Sequence, residues 1–131
     1  MSATPAKENA LRPRIEKADP SREFFAPSER CYILETWRAP DYSMSFARAR
    51  VTPGVTTEWH ALEGVVERYI VTEGKGRMEV GDLPPTDVAP GDTVYIPAGV
   101  RQRITNTGPR DLIFYCVCTP PFSPDCYRPL E

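Results

Sequence analysis

An all-β domain that closes into a barrel or stacks as a sandwich is the fold class this sequence predicts. Three observations carry it. Fifteen prolines and eight glycines cut 131 residues into short segments, and turn residues at that density leave little room for helices. The segments between them are rich in Val, Ile, Tyr, Phe and Thr, which suit a pleated, half-buried surface. No stretch after residue 30 repeats its apolar side chains at helical spacing. A chain of this length buries one sizeable core, so a single domain is expected. Its sheets must close or pack face to face to bury one side.

Taken in order, residues 1–11 read as a frayed end. Residues 12–30, RPRIEKADPSREFFAPSER, complete an N-terminal arm (1–30) that adds an edge strand and one short helical turn around Ser21 to Phe25, with Phe24 and Phe25 packing on something. The barrel domain is expected over 31–131. Its strands are predicted at 31–37 (CYILETW), 44–51 (MSFARARV), 56–62 (TTEWHAL), 67–74 (ERYIVTEG), 76–82 (GRMEVGD), 92–98 (DTVYIPA), 101–108 (RQRITNTG) and 111–119 (DLIFYCVCT). Gly54 and Gly91 each follow a proline, and P-G marks the tight turns that launch a strand. Pro97 and Gly99 end one strand and turn the chain so that Gln102 opens the next, pointing back toward His60 and Glu67.

The charged residues, 16 basic and 18 acidic for a net −2, are spread along the chain. A nucleic-acid binder more often carries a clustered basic surplus, so no nucleic-acid partner is expected. No apolar run reaches the length of a membrane span, and the N-terminal MSATPAKENALRPR lacks the apolar centre of a secretory signal. The expectation is a cytoplasmic protein without a membrane partner. Cys31, Cys116, Cys118 and Cys126 show no C-x-x-C spacing and read as reduced thiols. Cys116 and Cys118 share a strand face, where they line a cavity or fill the core, and the core reading is favoured because free cysteine packs as a small hydrophobe.

Two strings stand out. From Gly54 the chain reads GVTTEWHALEGVVERYIVTEG, which places His60, Leu62, Glu67 and Gly74 at fixed intervals; from Gly91 it reads GDTVYIPAGVRQRITN, which places Pro97, Gly99, Gln102 and Asn106. These strings resemble the two signature motifs of the cupin superfamily, and the resemblance covers roughly residues 30–120. It implies a single-domain jelly-roll β-barrel. The family pattern asks for two histidines and a glutamate in the first motif and a histidine in the second, and this chain matches at His60 and Glu67 only. Leu62 and Gln102 are departures.

What the resemblance implies for chemistry is a divalent metal ion, of Mn, Zn, Fe or Ni type, held by His60, Glu67 and Gln102. An amide oxygen in place of imidazole weakens soft-metal binding and favours harder ions. Beside this stands a metal-free reading, in which the three side chains form a hydrogen-bonded polar cluster; a lone buried Glu67 then needs an imidazolium, an arginine or a proton. Glu58 shares strand parity with His60, which makes it a candidate general acid or base at the barrel mouth, or else a solvated rim carboxylate. Tyr69 shares parity with Glu67 and is the second candidate for moving protons; the bland reading gives its hydroxyl one partner. Arg48 and Arg50 lie on one face with Met44 and Phe46, either lining an anion pocket or facing outward onto a dimer contact. Arg101 and Arg103 flank Gln102 and are expected at the surface.

The sequence therefore predicts a metal-dependent enzyme of isomerase, lyase, cyclase or decarboxylase type acting on a small polar metabolite in the barrel. A metal-free small-molecule binder or sensor is the alternative, and an inert scaffold the third. The apolar arm around Phe24 and Phe25 predicts a homodimer.

Overall fold

The computed structural model describes residues 12–39 and 41–131; the expectation of a frayed end at 1–11 lies outside them. The described residues form eleven strands: β1 (Phe24–Ala26), β2 (Cys31–Arg38), β3 (Ser45–Val51), β4 (His60–Leu62), β5 (Val66–Glu73), β6 (Gly76–Val80), β7 (Thr86–Val88), β8 (Thr93–Ile96), β9 (Gln102–Asn106), β10 (Leu112–Thr119) and β11 (Tyr127–Pro129). They make two antiparallel sheets, ordered β1-β2-β3-β10-β5-β8 and β11-β4-β9-β6-β7. Strands far apart in sequence, β3 with β10 and β4 with β9, are neighbours in space. This is the jelly-roll arrangement, with both sheets turning one face to a shared interior.

Alternation along each strand decides what that interior contains. On β5, Glu67, Tyr69 and Val71 are buried while Arg68 and Ile70 point away. On β3 the inward residues are Ser45, Ala47, Ala49 and Val51. The main core joins Val51, Val71, Ile96, Ile104, Leu112 and Phe114 with their neighbours. Burying an aliphatic or aromatic side chain of this size contributes about 1.5–3 kcal/mol. A smaller cluster of Leu62, Val65, Cys118 and Cys126 packs separately, with Phe122 and Tyr127 against it.

Several boundaries depart from expectation for local reasons. The strand expected over 56–62 starts at His60, because residues 56–59 find other partners: Thr56 makes an isolated bridge to Thr105, and the Thr57 backbone N–H donates to Ile104 O at 2.9 Å. Two strands were not foreseen. β7 lies in the proline-rich LPPTDVAP, and β11 is three residues ending on a proline, too short to show alternation. The arm does supply a helical turn, a 3-10 turn at Pro20–Arg22 capped by Asp19, and an edge strand, β1. Phe25 packs against Tyr32 in a tilted pair with ring centroids 5.0 Å apart, and Phe24 pairs with Ile33 on the inner face.

The two arginines of β3 face outward. Glu23 holds both, accepting from Arg50 Nη2 at 2.6 Å and from Arg48 Nη2 at 3.3 Å, and Asp111 takes Arg50 Nη1 at 3.1 Å. The anion-pocket reading is thereby corrected: the arginine face is occupied by the chain's own arm. Arg103 pairs with Glu79 and lies over Trp59, while Arg101 lies at the surface, as expected. All four cysteines are free thiols. No helix among the described residues is long and apolar enough to cross a membrane.

Candidate functional site

Strand register brings the two motifs together. His60 on β4 lies directly opposite Gln102 on β9, so both side chains leave the sheet on the same face. The His60 ring stacks on Tyr127 of β11, centroids 4.8 Å apart, and its Nδ1 sits 2.8 Å from the carbonyl oxygen of Glu58. A carbonyl only accepts, so Nδ1 carries the proton and the neutral ring keeps its lone pair on Nε2. Burial lowers the His60 pKa, which keeps the ring neutral near pH 7.

Gln102 is fully buried. Its Oε1 accepts a 2.5 Å hydrogen bond from the Tyr69 hydroxyl, and its Nε2 completes none. Tyr69 stacks on Phe114, centroids 4.4 Å apart, and burial pushes its phenol well above the usual value, so it remains a donor. Glu67 projects from β5 into the same interior. Its Oε2 faces the Cys118 thiol at 3.7 Å, while Oε1 is buried without a partner. Burial pushes the Glu67 carboxyl up to about 7, partly opposed by the nearby Gln102 amide and the Cys118 and Cys116 thiols. Gln102 is thus close enough to favour the carboxylate, but Nε2 stops short of a formed hydrogen bond.

A cavity of about 380 Å³ opens on the inner face of the six-stranded sheet, within the usual size range of small-molecule sites. Small residues make the room: Ser45 and Ala47 of β3 leave a hollow between β2 and β10. Glu67 and Cys116 line the cavity wall on the β5 and β10 side, and Ile33, Trp37 and Phe122 supply apolar wall. Glu29 and Glu35 also line it, Glu35 being solvent-exposed. Burial and the neighbouring Glu58 raise the Glu29 pKa.

The expected site residues therefore divide. Glu67, Gln102 and Tyr69 form one connected group, and only Glu67 lines the cavity. His60 and Glu58 belong to a second group, closed over by the C-terminal strand. The Glu58 Oε1 accepts from the Tyr127 hydroxyl at 2.7 Å, and Glu58 is buried, which corrects the reading of a solvated rim carboxylate. Leu62 packs with Val65, Cys118 and Cys126 and lines no described cavity. Cys116 and Cys118 fall one to each alternative, Cys116 lining the cavity and Cys118 filling the smaller core.

Glu29, Glu35 and Tyr127 were missed in the sequence. Glu35 had a signal: in CYILETW it shares parity with Cys31, a core residue, and with Ile33, whose partner on β3 is the core residue Ala49. Tyr127 had none.

Two facing antiparallel sheets with a polar group and a small-molecule-sized cavity in the shared interior define a small jelly-roll domain of the cupin class. The chain belongs to that family: the cupin domain profile matches residues 47–118, more than half of its length. Among curated relatives, an uncharacterized protein of Methanocaldococcus jannaschii is 36% identical over 87 residues, covering 66% of this chain and 69% of that protein. An oxalate-binding protein of Thermotoga maritima is 30% identical over 91 residues, covering 68% and 73%. Among solved structures, a predicted oxalate decarboxylase from T. maritima superposes with TM-score 0.69 at 22% identity, over 79% of this chain and 97% of that one. The nucleoside dehydratase Pac13 of Streptomyces superposes with TM-score 0.72 at 14% identity, over 90% and 92%. These structural likenesses establish the fold alone.

Proposed function

We propose that this cupin domain takes a small metabolite into the cavity on the inner face of the six-stranded sheet and moves a proton on it through Glu67, without a resident metal ion. The observation that carries the reading is the Glu67 carboxyl itself, buried on the cavity wall with Oε1 lacking any partner. A carboxyl that titrates near neutrality gives and takes a proton with little driving force wasted either way. The chemistry this suits is isomerase- or lyase-type, in which one group removes a proton from the substrate and returns one.

Donor chemistry speaks against the metal expected at His60, Glu67 and Gln102. His60 Nε2 and Glu67 Oε1 are ligand-type atoms, but Gln102 gives its oxygen to Tyr69, and the atom it leaves free is an N–H donor. Leu62 offers hydrocarbon where the family pattern has a third donor. Two donors are fewer than the three protein ligands of an ordinary catalytic zinc site. Among the described residues, no group of three or more His, Cys, Asp or Glu side chains is placed to hold a metal ion. Tyr69 and Gln102 then act as positioning residues, orienting an amide beside Glu67.

The test uses the purified full chain, stripped with a chelator, incubated with a fractionated small-metabolite extract and followed by mass spectrometry. One metabolite should be consumed by the wild type and spared by Glu67→Gln. Consumption that returns only on adding Mn²⁺, Zn²⁺, Fe²⁺ or Ni²⁺ would restore the metal-dependent reading. Retention of a metabolite without consumption would leave a binding or sensing cupin.

A further inference from the structure

We infer that the molecule this cavity accepts is an organic cation, a protonated amine or amidine carried on an apolar body. The inference rests on the cavity being the ligand site and extends that reading to the ligand's charge.

Three carboxylates, Glu29, Glu35 and Glu67, line the cavity, and none forms an ion pair with any described residue. Glu16 lines it as well but pairs with Arg14. The one basic lining residue, Arg38, directs Nη2 to the carbonyl oxygen of Phe122 at 2.7 Å. Glu67 is more than nine-tenths buried, with an oxygen that meets no donor. A buried carboxylate oxygen without a donor is costly, and Glu67 is the one of the three in that position. A bound cation offsets that cost.

The field of these groups reaches their neighbours. Glu29 and Glu67 contribute to raising the thiols of Cys31 and Cys116 and the Tyr69 phenol above their ordinary values, desolvation being the larger cause in each case. A dicarboxylate such as oxalate, the ligand in the name of the T. maritima relative, meets three carboxyl groups here against the single guanidinium of Arg38.

Geometry sets the size of the occupant. Glu35 is on β2 and Glu67 on β5, three strands apart in the order β2-β3-β10-β5, which is roughly 14 Å at the usual strand spacing. One metal ion cannot span that distance, and a molecule can. The same cavity is lined by Ile33, Trp37 and Phe122. Aromatic and aliphatic walls suit the body of such a ligand, and an aromatic face adds attraction for its charge.

The experiment compares three probes of one shape, phenethylammonium, phenethyl alcohol and phenylacetate, titrated into the full chain and followed by calorimetry and by the Trp37 indole resonance. The ammonium should bind about tenfold or more tightly than the alcohol, and phenylacetate should not bind. Glu35→Gln, a change at an exposed position, should weaken the ammonium about three- to tenfold and leave the alcohol unchanged; Glu29→Gln should do the same. Equal binding of ammonium and alcohol, binding of phenylacetate, or indifference of the ammonium to both variants overturns the inference, while the cavity as a ligand site survives. Cation binding that persists beside turnover unaffected by Glu67→Gln sinks the proton-transfer reading and leaves this one standing.

Discussion

Glu67 ties the site to the stability of the whole chain. Its unfolded carboxyl titrates near 4.5 and its folded one near 7, so the native state holds the proton more tightly. The stability this contributes is fully present below about pH 4.5 and is lost as pH rises through about 7, amounting to ~3 kcal/mol. His60 acts in the other direction: its folded pKa is depressed, so its contribution is present above the unfolded value near 6.5 and is lost on acidification. Glu67→Gln isolates the first effect. Urea unfolding from pH 5 to 8 should show the variant gaining on the wild type by about 1–3 kcal/mol across that range, and parallel profiles would contradict the buried titration. At this scale the sequence was informative about which residues meet and silent about what their atoms do. Fixed intervals and strand parity were enough to place His60 opposite Gln102 and Glu67 nearby. That the Gln102 oxygen goes to Tyr69, and that Glu58 lies under Tyr127, depends on tertiary contacts that no spacing encodes.

Strands and turns were legible where a periodic signal was long enough. β2, β3, β5 and β10, seven or eight residues each, were expected within one or two residues of their observed ends, whereas β7 and β11 have three residues and no room for alternation. The motif glycines set the turns between strands, but not for one reason. Gly54 has φ +81° with nothing within 4 Å of an added Cβ, so it is there for backbone conformation alone. Gly74 has φ +82°, and an added Cβ would lie 2.5 Å from the Asp111 carbonyl oxygen and 2.9 Å from Leu112 Cα. It lets the β5–β6 turn approach the start of β10. Gly54→Ala should therefore cost about 1 kcal/mol, and Gly74→Ala about 2–4 kcal/mol because backbone must move as well. Thermal or urea unfolding of both variants measures the difference, and equal losses would mean that the turn yields without disturbing β10.

Among the described residues, several exposed apolar side chains lie on the outward face of the six-stranded sheet. The inward face of the six-stranded sheet holds the core and cavity, while its outward face presents Ile70, 40% exposed, and Tyr95, 61% exposed, with Phe46 and Tyr115 packed edge-on nearby and Phe25, 49% exposed, on β1. The arm lies over the arginine end of this face through Glu23 and runs beside Phe46 and Tyr115 through Arg14, Glu16 and Ala18. A pairing of two copies through the remaining area buries the same patch twice, as a two-fold interface requires, and removes from water the aromatic groups that a monomer leaves wet. The homodimer expected from the sequence is accordingly predicted to form through the outward residues of β5, β8 and β1. Sedimentation at micromolar concentration should give twice the chain mass. Ile70→Glu combined with Tyr95→Glu should return it to the monomer without loss of fold, since neither side chain belongs to the core. A wild-type monomer at that concentration would refute the assembly, and a dimer untouched by the double variant would move the interface to another face.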